Sequence, residues 1–248
     1  MDRDHKQYQS YHTLSPREYM YFPRGTLDMG KPGQFSKLEL MHLGLAILVL
    51  TIGFSFALTQ SSLLMMYLFN EGFNPGKLFF GLELSFVGVM CAFVVHELSH
   101  KLMAQKLGLW SEFRMYPKGL VTSLILSVTT GFVLAAPGAV MFRGEPRLFE
   151  QGKIATAGPS ANIILSALFY AVYQLFLSGS VTILSTAIMF IFVINAILGF
   201  FNLLPFGPLD GVLIYKYNKI IWATLFLSSL ILISIIIQFV PYIYSFIF

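Results

Sequence analysis

A His-Glu-x-x-His sequence, from His96 to His100, contains the residues whose types and spacing point most directly to chemistry. Two histidines four residues apart lie on one face of a helix, about 40° apart, and can bind the same zinc ion. Glu97 lies between them and points slightly aside, where it could take a proton from an attacking water. The pattern therefore predicts a hydrolytic zinc site, with His96 and His100 as ligands and Glu97 as the general base.

The surroundings of this motif are apolar. Of the 248 residues, 56% are hydrophobic and 11% are charged, whereas soluble domains have about 25% charged residues. An ionisable side chain inside a membrane span costs roughly 2.5–3.5 kcal/mol, so three within five residues favour a functional role over a polar helix end that reaches towards water. The single cysteine, Cys91, excludes an internal disulfide and a cysteine-rich zinc site.

A catalytic zinc site usually takes three protein ligands, so a third must come from elsewhere in the chain. The extended pattern of soluble metalloproteases would require glycine at 103 and histidine at 106, where Met103 and Lys106 stand. The candidate oxygen ligands are Glu83, Glu112, Glu145, Glu150 and Asp210. We favour Asp210, which follows a Pro- and Gly-rich stretch at the end of an apolar span. Its alternative role is that of an ordinary Asp-Gly turn residue.

The elements that must position these residues are apolar helices. After a polar, cytoplasmic tail at 1–37, we expect membrane spans at 38–58, 78–107, 154–177, 181–204 and 219–240. The predicted fold is an all-α polytopic membrane protein with five to six transmembrane helices. A single intramembrane domain would occupy 38–248, with its catalytic core at about 78–211.

The segment 119–142 is the ambiguous one. Residues 121–124 and 128–130 are strand formers, and Gly131, Pro137 and Gly138 interrupt a helix. If the segment enters the membrane and returns, 15 of the 16 lysines and arginines lie on the cytoplasmic side. That distribution favours a re-entrant or β segment over a Pro-kinked spanning helix. Extended backbone at about 131–140 could then pair with a substrate strand.

These residues together resemble the site-2 protease family, the intramembrane zinc metalloproteases of peptidase family M50. That family combines H-E-x-x-H in one transmembrane helix with N-x-x-P-x-x-x-L-D-G in a later one, and the second motif stands here from Asn202 to Gly211. A Gly-Pro-x-x-Asn sequence, Gly158 to Asn162, also resembles the family. The resemblance implies that His96, His100 and Asp210 bind one zinc ion per chain, with Glu97 as general base. It also implies that the substrate is a transmembrane protein in the lipid bilayer. No stretch resembles the PDZ domain of many bacterial members.

Two asparagines have two possible roles. Asn162 and Asn202 could orient a substrate carbonyl or stabilise the oxyanion, or could form hydrogen bonds between helices.

Two other classes of function remain possible: a catalytically silent membrane receptor and a membrane metal transporter. We expect a multi-pass protein of a prokaryotic cell membrane, with its amino terminus in the cytoplasm, its active site near the cytoplasmic face and no nucleic-acid partner. The sequence does not indicate the oligomeric state.

Overall fold

The computed structural model describes residues 35–70, 72–133, 137–143, 146–180 and 182–247, and the side chains of 239–247 and of Arg143 are not considered. Most of the predicted polar tail at 1–37 therefore lies outside the described residues, as does Glu145. The helices are α1 (Lys37–Leu58), α2 (Leu63–Phe69), α3 (Pro75–Val89), α4 (Val95–Lys106), α5 (Pro117–Thr130), α6 (Leu148–Val172), α7 (Ile183–Asn202), α8 (Asp210–Tyr217) and α9 (Lys219–Ile247). The strands are β1 (Trp110–Met115) and β2 (Gly138–Arg143), and π-helical turns occupy Met90–Val94 and Tyr173–Leu177.

Within the described residues, five helical stretches are long and apolar enough to cross a membrane. They are Lys37–Phe69, Pro75–Lys106, Leu148–Leu177, Ile183–Asn202 and Lys219–Gln238. Each overlaps one predicted span. The first stretch continues past the predicted end at 58 to Phe69, because α2 follows α1 closely. Helix α6 starts before the predicted 154, at Leu148, where the Glu150 carboxylate accepts a hydrogen bond from the Arg147 backbone N–H at 2.7 Å. The prediction of a mostly helical chain with five candidate spans is confirmed.

The stretch that carries the His-Glu-x-x-His motif is continuous from α3 through the first π-helical turn to α4, 32 residues in all. It begins where the Asn74 side chain accepts a hydrogen bond from the Lys77 N–H at 3.1 Å, with Pro75 in the first helical turn. It ends just before Gly108, whose φ of +79° allows the left-handed conformation that terminates a helix. The motif thus lies near one end of a long helix, as the sequence predicts.

The secondary structure predicted for the first part of 119–142 is wrong. Residues 121–124 and 128–130 are strand formers, yet they lie in α5, whose buried side packs against α1. The buried face of α5 carries both polar and apolar side chains, and its packing outweighs the local preference of these residues for β-structure. With 14 residues, α5 rises about 21 Å, less than the ~30 Å of a bilayer core. The alternative of one Pro-kinked helix through 119–142 is also wrong, because α5 ends at Thr130 and β2 begins at Gly138.

The segment nevertheless returns to the place where it begins. Strands β1 and β2 form a two-stranded antiparallel sheet in which Met115 lies opposite Gly138. Beyond that pair, the Tyr116 N–H donates to the Pro137 carbonyl at 2.8 Å. Helix α5 therefore leaves the sheet, and the chain comes back to it after Gly131. The extended stretch predicted at 131–140 lies partly outside the described residues, while β2 occupies its end and pairs with β1, a strand that the sequence did not predict.

Helix α6 connects the elements that carry the motifs. It packs against α4, α7 and α8. Close approach depends on two of its glycines, since a Cβ atom on Gly152 would overlap the Tyr217 side chain, and one on Gly158 would overlap the rings of His96 and His100. The loop after α7 then brings α8, with Asp210 as its first residue, to the same end of the bundle.

Candidate metal centre

Three side chains from two distant parts of the chain meet in the interior. The Nε2 atoms of His96 and His100 lie 3.0 Å apart. Oδ2 of Asp210 lies 3.3 Å from the first and 3.1 Å from the second. All three residues are buried, with exposed fractions of 3%, 6% and 1%. The structure thus brings together the two histidines and the aspartate that the sequence singled out as metal ligands.

The opposite ring nitrogen of each histidine faces an oxygen that can only accept a hydrogen bond. Nδ1 of His100 lies 2.7 Å from the Ile154 carbonyl on α6. Nδ1 of His96 lies 2.5 Å from Oδ1 of Asn162 on the same helix. Each Nδ1 must therefore carry the hydrogen, and in a neutral ring the Nε2 lone pair then points into the space shared with Asp210.

This arrangement fits a zinc ion. Two nitrogen lone pairs and a carboxylate oxygen repel one another in a buried space unless a cation lies among them. Tetrahedral zinc with ligands at 2.0–2.2 Å separates neighbouring ligand atoms by about 3.3–3.6 Å, so the observed separations of 3.0, 3.1 and 3.3 Å are within a few tenths of an ångström of that geometry. Hydrogen bonds from the second imidazole nitrogen to an oxygen are the usual support of a zinc-binding histidine.

Two glycines allow the ligands to come this close. A Cβ atom on Gly158 would collide with Nε2 of His100 and with the His96 ring. A Cβ atom on Gly211 would collide with the backbone of Leu203 and Leu204, so the chain could not fold back to present Asp210. The glycines of the Gly-Pro-x-x-Asn and Leu-Asp-Gly sequences are thus each required for steric reasons, because a larger residue would not fit at either position.

Glu97 lies on α4 between the two ligand histidines and is buried, with 9% of its surface exposed. Its helix position, about 100° from His96 and 60° from His100, puts the carboxylate on the side of the helix adjacent to the ligands. The role of general base is a prediction that this geometry allows.

The two predicted substrate asparagines lie in different surroundings. The Asn162 amide donates to the Ala92 carbonyl at 3.1 Å and to Oδ1 of Asn195 at 2.9 Å, while its own oxygen faces His96. Asn202 is half-buried and donates to the Leu198 carbonyl within its own helix at 3.0 Å. Their roles in binding a substrate carbonyl stay predictions. Asn195 was missed by the sequence analysis, because it lies in an apolar helix outside every motif.

The other candidate oxygen ligands that the structure describes are engaged elsewhere or exposed. Glu112 forms a buried ion pair with Arg114 on β1. Glu150 pairs with Arg147 at the start of α6. Glu83 is exposed on α3. Among the described residues, His96, His100 and Asp210 form the one group of histidine, cysteine and acidic side chains close enough to share a metal ion.

A second buried cluster lies next to the first along α4. Lys101 follows His100 directly, and its ammonium group donates to Oε2 of Glu39 at 2.5 Å. The other carboxylate oxygen of Glu39 accepts a hydrogen bond from the Phe113 backbone N–H at 2.9 Å. Since Glu39 lies on α1 and Phe113 on β1, this cluster ties the motif-bearing helix to both. Nothing in the sequence pattern around Glu39 and Lys101 predicts this pair, because 62 residues separate them.

The donor set and its burial define a candidate metal site inside a bundle of apolar helices, of a kind that zinc enzymes use. A protein of Methanocaldococcus jannaschii named "Putative zinc metalloprotease MJ0611" is 36% identical to this chain over 191 residues, which cover 77% of this chain and 90% of that protein. The chain therefore belongs to the family of that zinc metalloprotease. No family model matches the chain, and no solved structure matches it. Membership of the site-2 protease family is more specific than this comparison shows, and it stays a prediction.

Proposed function

We propose that the protein is an intramembrane zinc metalloprotease of the site-2 type, which hydrolyses peptide bonds within the transmembrane segments of other membrane proteins. The observation that carries the proposal is the convergence of His96, His100 and Asp210 in the interior of apolar helices, with Glu97 buried on the helix that carries both histidines. The metalloprotease relative supports the hydrolytic activity. The five apolar stretches support a location inside a bilayer.

Each residue has one task in the proposed reaction. His96, His100 and Asp210 hold the ion, and Glu97 takes a proton from the water that attacks the scissile carbonyl. Zinc in such a site supplies Lewis acidity and lowers the pKa of water. Glu97 would then deliver that proton to the leaving amine, so that the peptide bond breaks with no net change in the protein.

The substrate helix must unwind before its carbonyls can be attacked, and the sheet offers a way to hold it. The Phe113 N–H points to Glu39 and away from β2. Phe113 lies opposite Val140, so the backbone groups of Val140 point away from β1 as well, and those of Phe142 follow by alternation. Strand β2 also contacts α4, which carries the motif. An unwound substrate segment could add to this edge and recover its lost hydrogen bonds.

The location proposed is a prokaryotic cell membrane, with the amino terminus and the metal centre towards the cytoplasm. The distribution of lysine and arginine supports this orientation. The contacts of Glu39 with Lys101 and of His100 with Ile154 support it too, because they gather the start of α1, the end of α4 and the start of α6 at one end of the bundle.

The test is cleavage in liposomes of tagged single-span model proteins, each with a helix-destabilising glycine or proline in its transmembrane segment. Wild type should cleave within the span, and Glu97→Gln should lose activity by at least about 100-fold while keeping its zinc. Glu83→Gln is the matched control, since Glu83 is an exposed acid on the same helical stretch, and it should cleave like wild type. Undiminished cleavage by Glu97→Gln would reject the proposed mechanism. Cleavage confined to segments outside the bilayer would reject the intramembrane part.

A further inference from the structure

Asn195 is a fully buried amide in the middle of the apolar helix α7, with an exposed fraction of 0%. A buried amide is costly unless its donors and acceptor are hydrogen-bonded. Its nitrogen donates to the Ile191 carbonyl at 2.8 Å, and its oxygen accepts from the Asn162 amide at 2.9 Å. Asn162 in turn contacts His96. A chain of hydrogen bonds therefore runs from the backbone of α7, through two asparagines, to a metal ligand on α4.

The direction of this chain is determined at its backbone end. The Ile191 carbonyl can only accept, so the NH₂ group of Asn195 must face it and the side-chain oxygen must face α6. That oxygen requires the NH₂ group of Asn162, whose second hydrogen goes to the Ala92 carbonyl in the first π-helical turn. A reversed Asn162 amide would set its oxygen against two other oxygens. The Asn162 oxygen must therefore face His96.

We infer that Asn195 is a positioning residue for His96: acting through Asn162, it fixes the hydrogen on Nδ1 of His96 and so presents the Nε2 lone pair to the metal. The inference rests on the zinc centre of the proposed function. It concerns one of the two histidines only, because Nδ1 of His100 donates directly to the backbone carbonyl of Ile154. His100 is thus held by the main chain, whereas His96 depends on two side chains.

The affinity for zinc tests this inference. Asn195→Leu keeps the branched shape of the side chain but removes both hydrogen bonds, so the Kd for zinc should rise by about 10- to 100-fold. Asn195→Asp can still accept from Asn162, and in its acid form can still donate to Ile191, so it should restore most of the affinity. The Kd is measured in detergent by competition with a zinc-binding dye.

Ser166→Ala is the matched control. Ser166 is fully buried one turn after Asn162 and donates to the Phe192 carbonyl on α7 at 3.1 Å. Its loss loosens the same pair of helices without touching the chain of asparagines, so its Kd for zinc should equal that of wild type. An unchanged Kd in Asn195→Leu, or an equal rise in Asn195→Leu and Ser166→Ala, would overturn the inference.

A second measurement needs neither zinc nor a folded variant. Nitrogen-15 NMR of wild type labelled at histidine, without metal and at a pH where the ring is neutral, should show His96 with its hydrogen on Nδ1. A hydrogen on Nε2 would overturn the inference. Failure of wild type to bind zinc would instead reject the proposed function, and the NMR result would still test the tautomer of His96 that the inference requires.

Discussion

Two consecutive residues of α4, His100 and Lys101, enter two buried polar clusters with opposite character. On the His100 side, two imidazole lone pairs and the Asp210 carboxylate face one another at 3.0 to 3.3 Å. On the Lys101 side, an ammonium group and the Glu39 carboxylate are matched, and the remaining carboxylate oxygen is bonded to the backbone of Phe113. Three acceptor atoms thus face one another in the first cluster, whereas opposite charges are paired in the second.

The difference separates a binding site from a structural contact. Buried charges persist when they are paired or when they coordinate a metal. The Lys101 cluster satisfies itself and joins α1, α4 and β1, so it needs no ligand. In the His100 cluster the supporting hydrogen bonds turn the ring acceptors towards Asp210, an arrangement that a bound cation would stabilise. Both clusters are buried and contain ionisable residues, so what distinguishes them is that acceptors face one another in the first and opposite charges pair in the second.

The largest effect is expected where the first cluster is broken sterically. Gly158→Ala would push a methyl group into Nε2 of His100 and the ring of His96, so purified protein should retain no zinc. Gly44→Ala is the control, because a Cβ atom there meets nothing within 4 Å, and it should keep its zinc. Metal analysis of both proteins gives the answer. Full zinc in Gly158→Ala would show that the ligands lie elsewhere.

Breaking the second cluster should affect stability and leave the metal in place. Lys101→Met strands a buried carboxylate, which costs roughly 3–5 kcal/mol of unfolding free energy. Adding Glu39→Gln should recover most of that loss, since the amide oxygen can still accept from the Phe113 N–H. Denaturant unfolding in detergent measures the free energies, and the folded double variant should carry as much zinc as wild type. Loss of zinc from that double variant, with its stability restored, would contradict the separation of the two clusters.

A smaller effect is expected at the sheet, whose two edges also differ: one is bonded to a side chain of the protein, and the other could bind a substrate strand. Glu39 caps the outer edge of β1, while the backbone of Phe142 points to the outer edge of β2. Phe142→Pro removes an N–H from that edge, and Phe142→Ala removes only the ring. We expect Phe142→Pro to have a kcat/KM several-fold below that of Phe142→Ala, about 1 kcal/mol for one hydrogen bond, at equal zinc content. Equal kcat/KM values of the two variants in cleavage of the model substrates would show that this edge of β2 does not bind the substrate.

The sequence was informative where chemistry imposes spacing. The four-residue separation of His96 and His100 follows from helix geometry, and Asp210 stands out because it follows a Pro- and Gly-rich stretch at the end of an apolar span. The bundle places it within 3.3 Å of both ligand nitrogens. The five spans could be predicted because a run of about 20 apolar residues is typical of a transmembrane helix.

What the sequence could not predict depends on contacts between distant segments. The helical state of 121–130 follows from packing of α5 against α1, which local β-propensity does not encode. The pairing of β1 with β2 could not be predicted because it depends on a contact between the two ends of the intervening segment, at Tyr116 and Pro137. Asn195 and Glu39 stand in ordinary apolar surroundings, and only the structure reveals that one contacts Asn162 and the other Lys101.

The central claim is that His96, His100 and Asp210 form one zinc site, and zinc per chain tests it most directly. Wild type, Asp210→Ala and the exposed-acid control Glu83→Gln would be purified in detergent and analysed for metal. We predict close to one zinc in wild type and in Glu83→Gln, and much less in Asp210→Ala. Full occupancy in Asp210→Ala would show that the third ligand is a different residue. A folded wild type that cannot be loaded with zinc would contradict the conclusion that the protein is a zinc enzyme.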